Sequence, residues 1–214
     1  MNLPPGVTRL TVPCPRRPDV PMWIADLSVS ITAVSSSQDL SAGSAEAALR
    51  TRISRQVLAG WLQAPVESVR LDADERGAPL LYVDGAPGPF VSFASSGGLL
   101  AIAAADVRLG VDIEARATRQ AATEVAALLH PAEQAAIAQA GPGEQAAVFT
   151  QLWVRKEALL KAYGTGLLRD LAADDVTTAS GAGAGMCLCD VAVPASALPH
   201  EAEGPFHAAL CLSG

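Results

Sequence analysis

Residues 153–161 form the stretch Trp153-Val154-Arg155-Lys156-Glu157-Ala158-Leu159-Leu160-Lys161. At about 100° per residue, a helix here places Lys156 inside an apolar arc about 100° wide, the width of a core-facing stripe. The other members of the arc are Phe149, Leu152, Leu159, Leu160 and Tyr163. A lysine there must extend its methylenes along the core to water or hold its ammonium against a buried anion. The stretch therefore predicts a core helix with one charge that folding alone does not explain.

The charges and the tryptophan of this helix each have an ordinary explanation. A glutamate four residues before a lysine, as in Glu157 and Lys161, stabilises an exposed helix by about 0.2–0.5 kcal/mol without any function. Lys156 by itself is explained equally well as a core-edge residue whose ammonium reaches water. Trp153 lies beside leucines and is expected to be a core residue. The helix alone does not assign a function.

A strand is predicted where branched and polar residues alternate, at Leu109-Gly110-Val111-Asp112-Ile113-Glu114. Side chains two apart share a face, so Val111 and Ile113 are expected to point into the core. Asp112 and Glu114 then emerge together on the other face, with Cα atoms about 6.6 Å apart. Two carboxylates at that spacing can bind one Mg²⁺, although a half-solvated strand without function shows the same alternation.

Together the two segments resemble the Sfp-type 4'-phosphopantetheinyl transferase superfamily. The first family motif, Gly-(Val/Ile)-Asp-(Ile/Val)-Glu, stands at 110–114. The second, Trp-x-x-Lys-Glu-(Ser/Ala)-x-x-Lys-x-x-Gly-x-Gly-Leu, is complete in Trp153, Lys156, Glu157, Ala158, Lys161, Gly164, Gly166 and Leu167. Weaker similarities at 128–133 and 50–56 extend the resemblance to roughly residues 45–170. Two spaced motifs that agree at so many fixed positions rarely arise by chance.

The resemblance implies an activity and a fold. The activity is transfer of the 4'-phosphopantetheine arm of coenzyme A to a serine of an apo acyl or peptidyl carrier protein, with Mg²⁺ bound and adenosine 3',5'-bisphosphate released. The implied fold is α+β, with two pseudo-symmetric halves and the active site in the cleft between them. Residues 1–106 would form the coenzyme-binding half and 107–214 the metal-binding and catalytic half. A monomer is expected, because the two halves form a pseudo-dimer within one chain.

The resemblance also implies a role for each charged residue of the motifs. The expected Mg²⁺ ligands are Asp112, Glu114 and Glu157. Glu157 matches the base that takes the proton of the serine hydroxyl, and Lys161 matches the lysine that serves the leaving phosphate. Lys156 is expected to contact the phosphates of coenzyme A as a point charge. Asp112 and Lys161 are expected among the coenzyme contacts as well.

The chain departs from the family pattern where the 3'-phosphate of coenzyme A is held. Ser95 stands in place of the histidine of Asn-x-Ser-His-Ser, and Ala78 in place of the lysine of Gly-Lys-Pro. The expected coenzyme contacts are therefore Ser95 and its neighbour Ser96, with Arg50 and Arg76 as the nearby cations. Charge-assisted contacts are about twice as strong as neutral ones, so weaker 3'-phosphate binding and tolerance of dephospho-coenzyme A are expected. The two serines also fit an ordinary turn before a buried strand.

Composition excludes some classes of protein. The 214 residues have a formal charge of −7, with 17% charged and 4% aromatic residues, unlike a nucleic-acid binder. No secretory signal and no apolar run of about 18 residues is present, so a soluble cytoplasmic protein without membrane contact is expected. The cysteines show no paired metal spacing and the histidines are scattered, which favours structural thiols and leaves the carboxylates as the expected metal site. Arg50, Arg52 and Arg55 could form a basic docking patch or a solvated helix face.

Strands and helices are predicted to alternate in two cycles. The predicted strands are 22–29, 79–83, 99–104, 110–114, 186–193 and 206–212, and the predicted helices are 44–63, 119–129, 131–140 and 143–163. Residues 4–21 are expected to form an extended arm, and 179–185 a flexible turn.

Two other functions stay open at the level of sequence. The same carboxylates could serve another Mg²⁺-dependent phosphoryl or nucleotidyl enzyme. A non-catalytic protein that binds coenzyme A or a carrier domain would also fit the altered phosphate contacts, although such a protein would be expected to lose some of the five catalytic-type residues.

Overall fold

A computed structural model describes residues 3–14, 17–31, 42–178, 183, 185–199 and 204–214. Over these residues the chain is a mixed α/β structure whose paired strands are all antiparallel. The strands are β1 (Val7–Cys14), β2 (Arg17–Asp26), β3 (Val69–Ala73), β4 (Pro79–Val83), β5 (Ala86–Pro87), β6 (Phe90–Ser96), β7 (Leu99–Ala105), β8 (Leu109–Ala115), β9 (Met186–Val191) and β10 (Phe206–Ser213). The α-helices are α1 (Leu27–Ile31), α2 (Ala42–Leu62), α3 (Arg119–Ala126), α4 (Pro131–Gln139) and α5 (Gln145–Tyr163).

The strands form three sheets, and β7 is a central strand of the first. Their orders are β1-β2-β7-β6, β8-β10-β9 and β3-β4-β5. Residues 99–104 of β7 are all buried, as their unbroken apolar sequence predicted. Side chains alternate along a strand, so β7 supplies two cores. One face packs with Val111, Ile113 and Leu210 of the second sheet, and the other with Leu49, Ile53 and Val57 of α2. The first two sheets and α2 therefore form consecutive layers.

Helix α5 covers the outer face of the second sheet. The predicted apolar arc is confirmed, because Phe149, Leu152, Leu159 and Leu160 are buried and Tyr163 is half-buried. A Cβ atom on Gly110 would lie 2.0 Å from the carbonyl oxygen of Ala158 and 2.7 Å from the nitrogen of Ala162. Only glycine permits this approach of strand to helix, which explains the glycine of the first motif.

Most predicted elements are confirmed with small shifts at their ends. The helix predicted at 44–63 is α2, and the strand predicted at 79–83 is β4. The strand predicted at 22–29 ends at Asp26, where the short helix α1 begins, and the helix predicted at 119–129 ends at Ala126. The extended arm predicted at 4–21 is wrong, because β1 and β2 pair there as a hairpin whose Val12 and Cys14 are buried. The turn predicted at 179–185 lies mostly outside the described residues.

The predicted division at 106 falls between β7 and β8. The first part contains α1, α2, the four-stranded sheet and the small sheet, while the second contains α3 to α5 and the three-stranded sheet. The two-domain division and the pseudo-symmetry between halves stay predictions. Within the described part of the chain, no helix is both long enough and apolar enough to cross a membrane.

Candidate active site

The predicted acidic site consists of Asp112, Glu114 and Glu157, and Asp112 is its buried member. It lies in the middle of β8 beneath α5, and 4% of its surface is exposed. It lies on the face opposite Val111 and Ile113, as expected, but α5 covers that face, so the strand is not half-solvated at this position. The Nζ atom of Lys161 donates to Asp112 Oδ1 at 2.8 Å and to the carbonyl oxygen of Val111 at 3.0 Å. The other oxygen, Oδ2, is buried and has no hydrogen-bond partner among the described residues.

Three carboxylates interact electrostatically around Lys161. Burial raises the pKa of Asp112 to about 6, and the charges of Glu114 and Glu157 add to the rise while Lys161 opposes it. Burial also raises the pKa of Glu157; Lys161 opposes this shift and Glu114 reinforces it. Since like charges raise each other's pKa only at short range, the strand and the helix bring the three predicted ligands into one neighbourhood.

Serine side chains of β6 connect this neighbourhood to the first sheet. The hydroxyl of Ser96 donates to Glu114 Oε2 at 2.6 Å and accepts from the nitrogen of Ala115 at 3.2 Å. Further along the strand, Ser92 accepts from the nitrogen of Val111 at 3.0 Å. Ser96 therefore orients Glu114. The turn that the sequence also allowed for the serines begins only after Ser96, at Gly97 and Gly98.

The donor set fits a hard divalent cation. Mg²⁺ binds to carboxylate oxygens, and an unpartnered buried oxygen such as Asp112 Oδ2 is costly unless a cation or donor meets it. A cation would also relieve the repulsion that adds to the effect of burial on the pKa values of Asp112 and Glu157. The oxygens of the three carboxylates are not drawn together as closely as a ligand set: among the described residues, the group whose ligand atoms all lie within 4.8 Å of one another is made of cysteines.

Two cavities share part of their lining, and Lys161 lines the larger one. A cavity of about 870 Å³ is lined by Arg76, Phe90, Arg108, Lys161 and Thr165, among others. A second, of about 490 Å³, is lined by Arg50, Ser54, Asp72 and Ser95, among others. Gly77, Pro79 and Phe93 line both. The guanidinium of Arg50 donates to Ser95 Oγ at 2.7 Å, so the structure brings together two of the predicted coenzyme contacts.

Lys156 lies in the apolar arc against a buried anion, which is one of the two alternatives that the sequence left open. Only 1% of its side chain is exposed, and its Nζ atom lies 2.7 Å from Glu133 Oε1 and donates to the carbonyl oxygen of Asp174. The predicted contact with coenzyme phosphates is therefore wrong, because the ammonium is buried and paired with the carboxylate of Glu133. Glu133 also accepts from the nitrogen of Val176 at 2.8 Å. The pair joins α4, α5 and the chain that follows α5.

Glu133 is a structural residue that the sequence pattern located without assigning its role. It follows His130 and Pro131, and the structure shows a capping box there in which Glu133 Oε2 accepts from the nitrogen of His130. A capping glutamate normally stays at the surface, whereas Glu133 is fully buried. The lysine in the apolar arc of α5 was the signal in the sequence for a buried anion, although an ammonium that reaches water explained it equally well.

Two further expectations are corrected. Arg55 donates to the carbonyl oxygens of Val69 and Val66 at 2.7 Å each, so the predicted basic patch is divided between internal contacts and the exposed Arg52. The cysteines, expected to be structural thiols because their sequence shows no paired metal spacing, include a cluster of three. Sequence spacing missed it because one of them, Cys14, comes from the opposite end of the chain.

Comparison with known families gives the class of protein. Residues 108–211, from β8 into β10, match the model of the 4'-phosphopantetheinyl transferase superfamily. This part of the chain is similar to that superfamily, whose members transfer phosphopantetheine from coenzyme A to carrier proteins. The resemblance found in the two motifs is thereby confirmed. No match was found among curated proteins.

Proposed function

We propose that the chain transfers 4'-phosphopantetheine from coenzyme A to a serine of an apo acyl or peptidyl carrier protein and releases adenosine 3',5'-bisphosphate, with dependence on Mg²⁺. The position of Lys161 carries this proposal. Its ammonium contacts Asp112, and the residue also lines the larger cavity, with 31% of its side chain exposed. A cation that is fixed by a buried carboxylate and still open to a cavity can meet a diphosphate without reorganising.

The cavities fit an elongated ligand with phosphates at two places. Arg76 and Arg108 line the larger cavity with Lys161, and together they supply positive charge for the diphosphate. Arg50 and Ser95 line the smaller cavity, where they are placed to receive the 3'-phosphate. Because the two cavities share Gly77, Pro79 and Phe93, one coenzyme molecule could extend through both. Ser96 supports the diphosphate end by orienting Glu114.

Glu157 is proposed to take the proton of the carrier serine. It lies one helical turn before Lys161 on α5 and is half-buried. Its raised pKa makes the carboxylate a stronger base than a solvated glutamate, because the best base has a pKa close to the working pH. The serine oxygen then attacks the β-phosphorus of coenzyme A, and Lys161 donates to the departing phosphate oxygen.

Asp112 through its free Oδ2, Glu114 and Glu157 are the residues that would hold Mg²⁺. Stabilisation of negative charge on the non-bridging phosphate oxygens is the chemistry that this ion supplies when bound. Burial raises the pKa of Asp112 and Lys161 opposes that rise, so the lysine favours the ionised carboxylate that Mg²⁺ would need.

Intact-mass measurement of carrier proteins tests the proposal. Several apo acyl and peptidyl carrier proteins are incubated with the chain, coenzyme A and Mg²⁺. We expect one phosphopantetheine to be added to the carrier and one adenosine bisphosphate to be released, and neither product when the serine of the carrier is replaced by alanine or Mg²⁺ is chelated. Nucleotide hydrolysis without carrier modification would favour the rival phosphoryl enzyme. Tight coenzyme binding without turnover would favour the non-catalytic binder.

The Glu157→Gln variant tests the base and the ligand set together. We expect transfer to fall by roughly 100-fold or more while the thermal unfolding temperature is unchanged or higher, since one of three crowded carboxylates is removed. Glu144→Gln is the matched control, because Glu144 lies exposed at the start of the same helix. A folded Glu157→Gln protein with normal activity would remove Glu157 from the mechanism.

A further inference from the structure

Three thiols from the two ends of the chain meet at the edges of two sheets. Cys14 is the last residue of β1, and Cys187 and Cys189 lie on β9. β1 is an edge strand of the four-stranded sheet and β9 an edge strand of the three-stranded sheet. The sulfur atoms all lie within 4.8 Å of one another, and those of Cys187 and Cys189 are 3.9 Å apart. The described thiols are free, so no disulfide competes for these sulfurs.

The spacing of the sulfurs is compatible with a metal site. A tetrahedral ion with metal–sulfur bonds of about 2.3 Å separates its sulfur ligands by about 3.8 Å. The 3.9 Å between Cys187 and Cys189 is close to that value. The two residues lie two apart on a strand and so share a face, while Cys14 approaches from the other sheet. The arrangement gives three ligands and leaves a fourth position for solvent.

Burial and the neighbouring groups disfavour three negatively charged sulfurs without a bound cation. Burial raises the pKa of the Cys14 thiol, and Cys187 and the carboxylate of Asp19 raise it further. The pKa of Cys189 is raised by burial and then by its two neighbours. The Cys189 thiol donates to the carbonyl oxygen of Pro13 at 3.7 Å. A soft dication reverses the repulsion, because thiolate is its preferred ligand.

We propose that Cys14, Cys187 and Cys189 bind one thiophilic d¹⁰ cation of the Zn²⁺ class, which joins the edge strands of the two sheets. Each thiol that binds loses its proton to solvent, so the loaded site carries three thiolates, one dication and a water as fourth ligand. This site differs from the acidic site in its donors: Mg²⁺ prefers oxygen and does not compete for sulfur. A disulfide among these residues would need an external oxidant that nothing in the structure supplies.

Cobalt substitution tests the proposal on the full-length chain. The reduced, metal-free protein is titrated with Co²⁺ and then with Zn²⁺ in buffer containing Mg²⁺. We expect one Co²⁺ per chain with sulfur-to-cobalt charge-transfer absorption and tetrahedral d–d bands, displacement of Co²⁺ by Zn²⁺, and a higher unfolding temperature in the loaded protein. Cobalt bound without charge-transfer absorption, or no uptake at all, would overturn the site.

Serine variants identify the ligands. Cys187→Ser and Cys189→Ser are each expected to weaken Zn²⁺ binding by roughly tenfold or more and to reduce the charge-transfer band, and both positions are partly exposed, so folding should survive. Cys211→Ala is the control, because Cys211 is a thiol outside the cluster, buried in the core against α5. Asp112→Asn should leave Zn²⁺ binding intact, which separates this site from the proposed transferase activity. Equal binding by Cys187→Ser and wild type would refute the proposal.

Discussion

Asp112 combines two conditions that a buried carboxylate rarely satisfies at once. One oxygen is bound to the Lys161 ammonium, while the other is buried without a partner among the described residues. A group that serves the fold alone would have both oxygens satisfied, because an orphaned buried polar atom costs about 1–3 kcal/mol. The unpartnered oxygen is therefore the part of the residue that function explains.

The raised pKa of Asp112 predicts how stability depends on pH. The folded protein keeps a proton on Asp112 up to a pH of about 6, whereas the unfolded chain loses it near its ordinary pKa of about 4. The free energy of unfolding in Mg²⁺-free buffer should therefore fall as pH rises through this window, by on the order of 2–3 kcal/mol, and level off above it. Urea unfolding at about pH 4.5 and about pH 7.5 measures the change.

Asp112→Asn is the comparison for that measurement. Asparagine does not titrate, so this part of the pH dependence should disappear and the variant should equal or exceed wild type in stability at the higher pH. If the free energy of unfolding of Asp112→Asn falls with pH as much as that of wild type, other groups cause the pH dependence.

Helix α5 joins three separate tasks on one element. Its apolar side chains fill the core beneath the second sheet, Lys156 holds Glu133, and Glu157 and Lys161 reach the acidic site. The charges on α5 could be located from the sequence, because spacings of four in a helix and two in a strand place them on common faces. The partner of Lys156 could not be located from the sequence, because the pairing depends on how α4 packs against α5, and no local sequence pattern contains that information.

Breaking the buried pair should cost stability and not coenzyme affinity. Lys156→Met leaves Glu133 charged and unpaired in the interior, so the free energy of unfolding should fall by about 3–5 kcal/mol. Adding Glu133→Gln should restore much of the loss, because the amide oxygen can still accept from the nitrogen of Val176. Urea unfolding of the single and double variants gives the coupling free energy between Lys156 and Glu133. If folded Lys156→Met instead shows a strongly raised KM for coenzyme A, the lysine has a phosphate contact after all.

The close approach of β8 and α5 depends on Gly110. Gly110→Ala would place a methyl group 2.0 Å from the carbonyl oxygen of Ala158, so the helix must move away. We expect a loss of stability of about 1–3 kcal/mol or more and a larger loss of activity, since Asp112 and Lys161 separate. Thermal unfolding and transfer assays on the same preparation measure both effects. Gly143→Ala is the control, because a Cβ atom there meets nothing within 4 Å.

At the scale of the whole molecule, the candidate coenzyme site needs both parts of the chain. The larger cavity is lined by residues of the β3–β4 turn and of β6, and by Arg108, Lys161 and the residues after α5. The motifs of the second part were recognisable in the sequence because each carries charge at fixed spacing. The first part has no such motif, and the contact between Arg50 and Ser95 arises only when α2 packs over β6.

That contact predicts how strongly the protein selects coenzyme A over dephospho-coenzyme A. If Arg50 holds the 3'-phosphate, Arg50→Gln should reduce the ratio of kcat/KM values for the two substrates by roughly 10-fold or more, the value of one hydrogen bond to a charged group. Arg52→Gln is the matched control on the exposed side of α2. An unchanged ratio in the Arg50 variant would place the 3'-phosphate elsewhere.

The double burial of β7 has a consequence for any attempt to produce the two parts of the chain separately. A fragment that ends at residue 106 would present Leu99, Ala101 and Ala103 to solvent, because their partners Val111 and Ile113 belong to the other fragment. Such an exposed apolar sheet face drives self-association. The fragment should therefore precipitate when expressed alone and be rescued only by synthesis together with its complement.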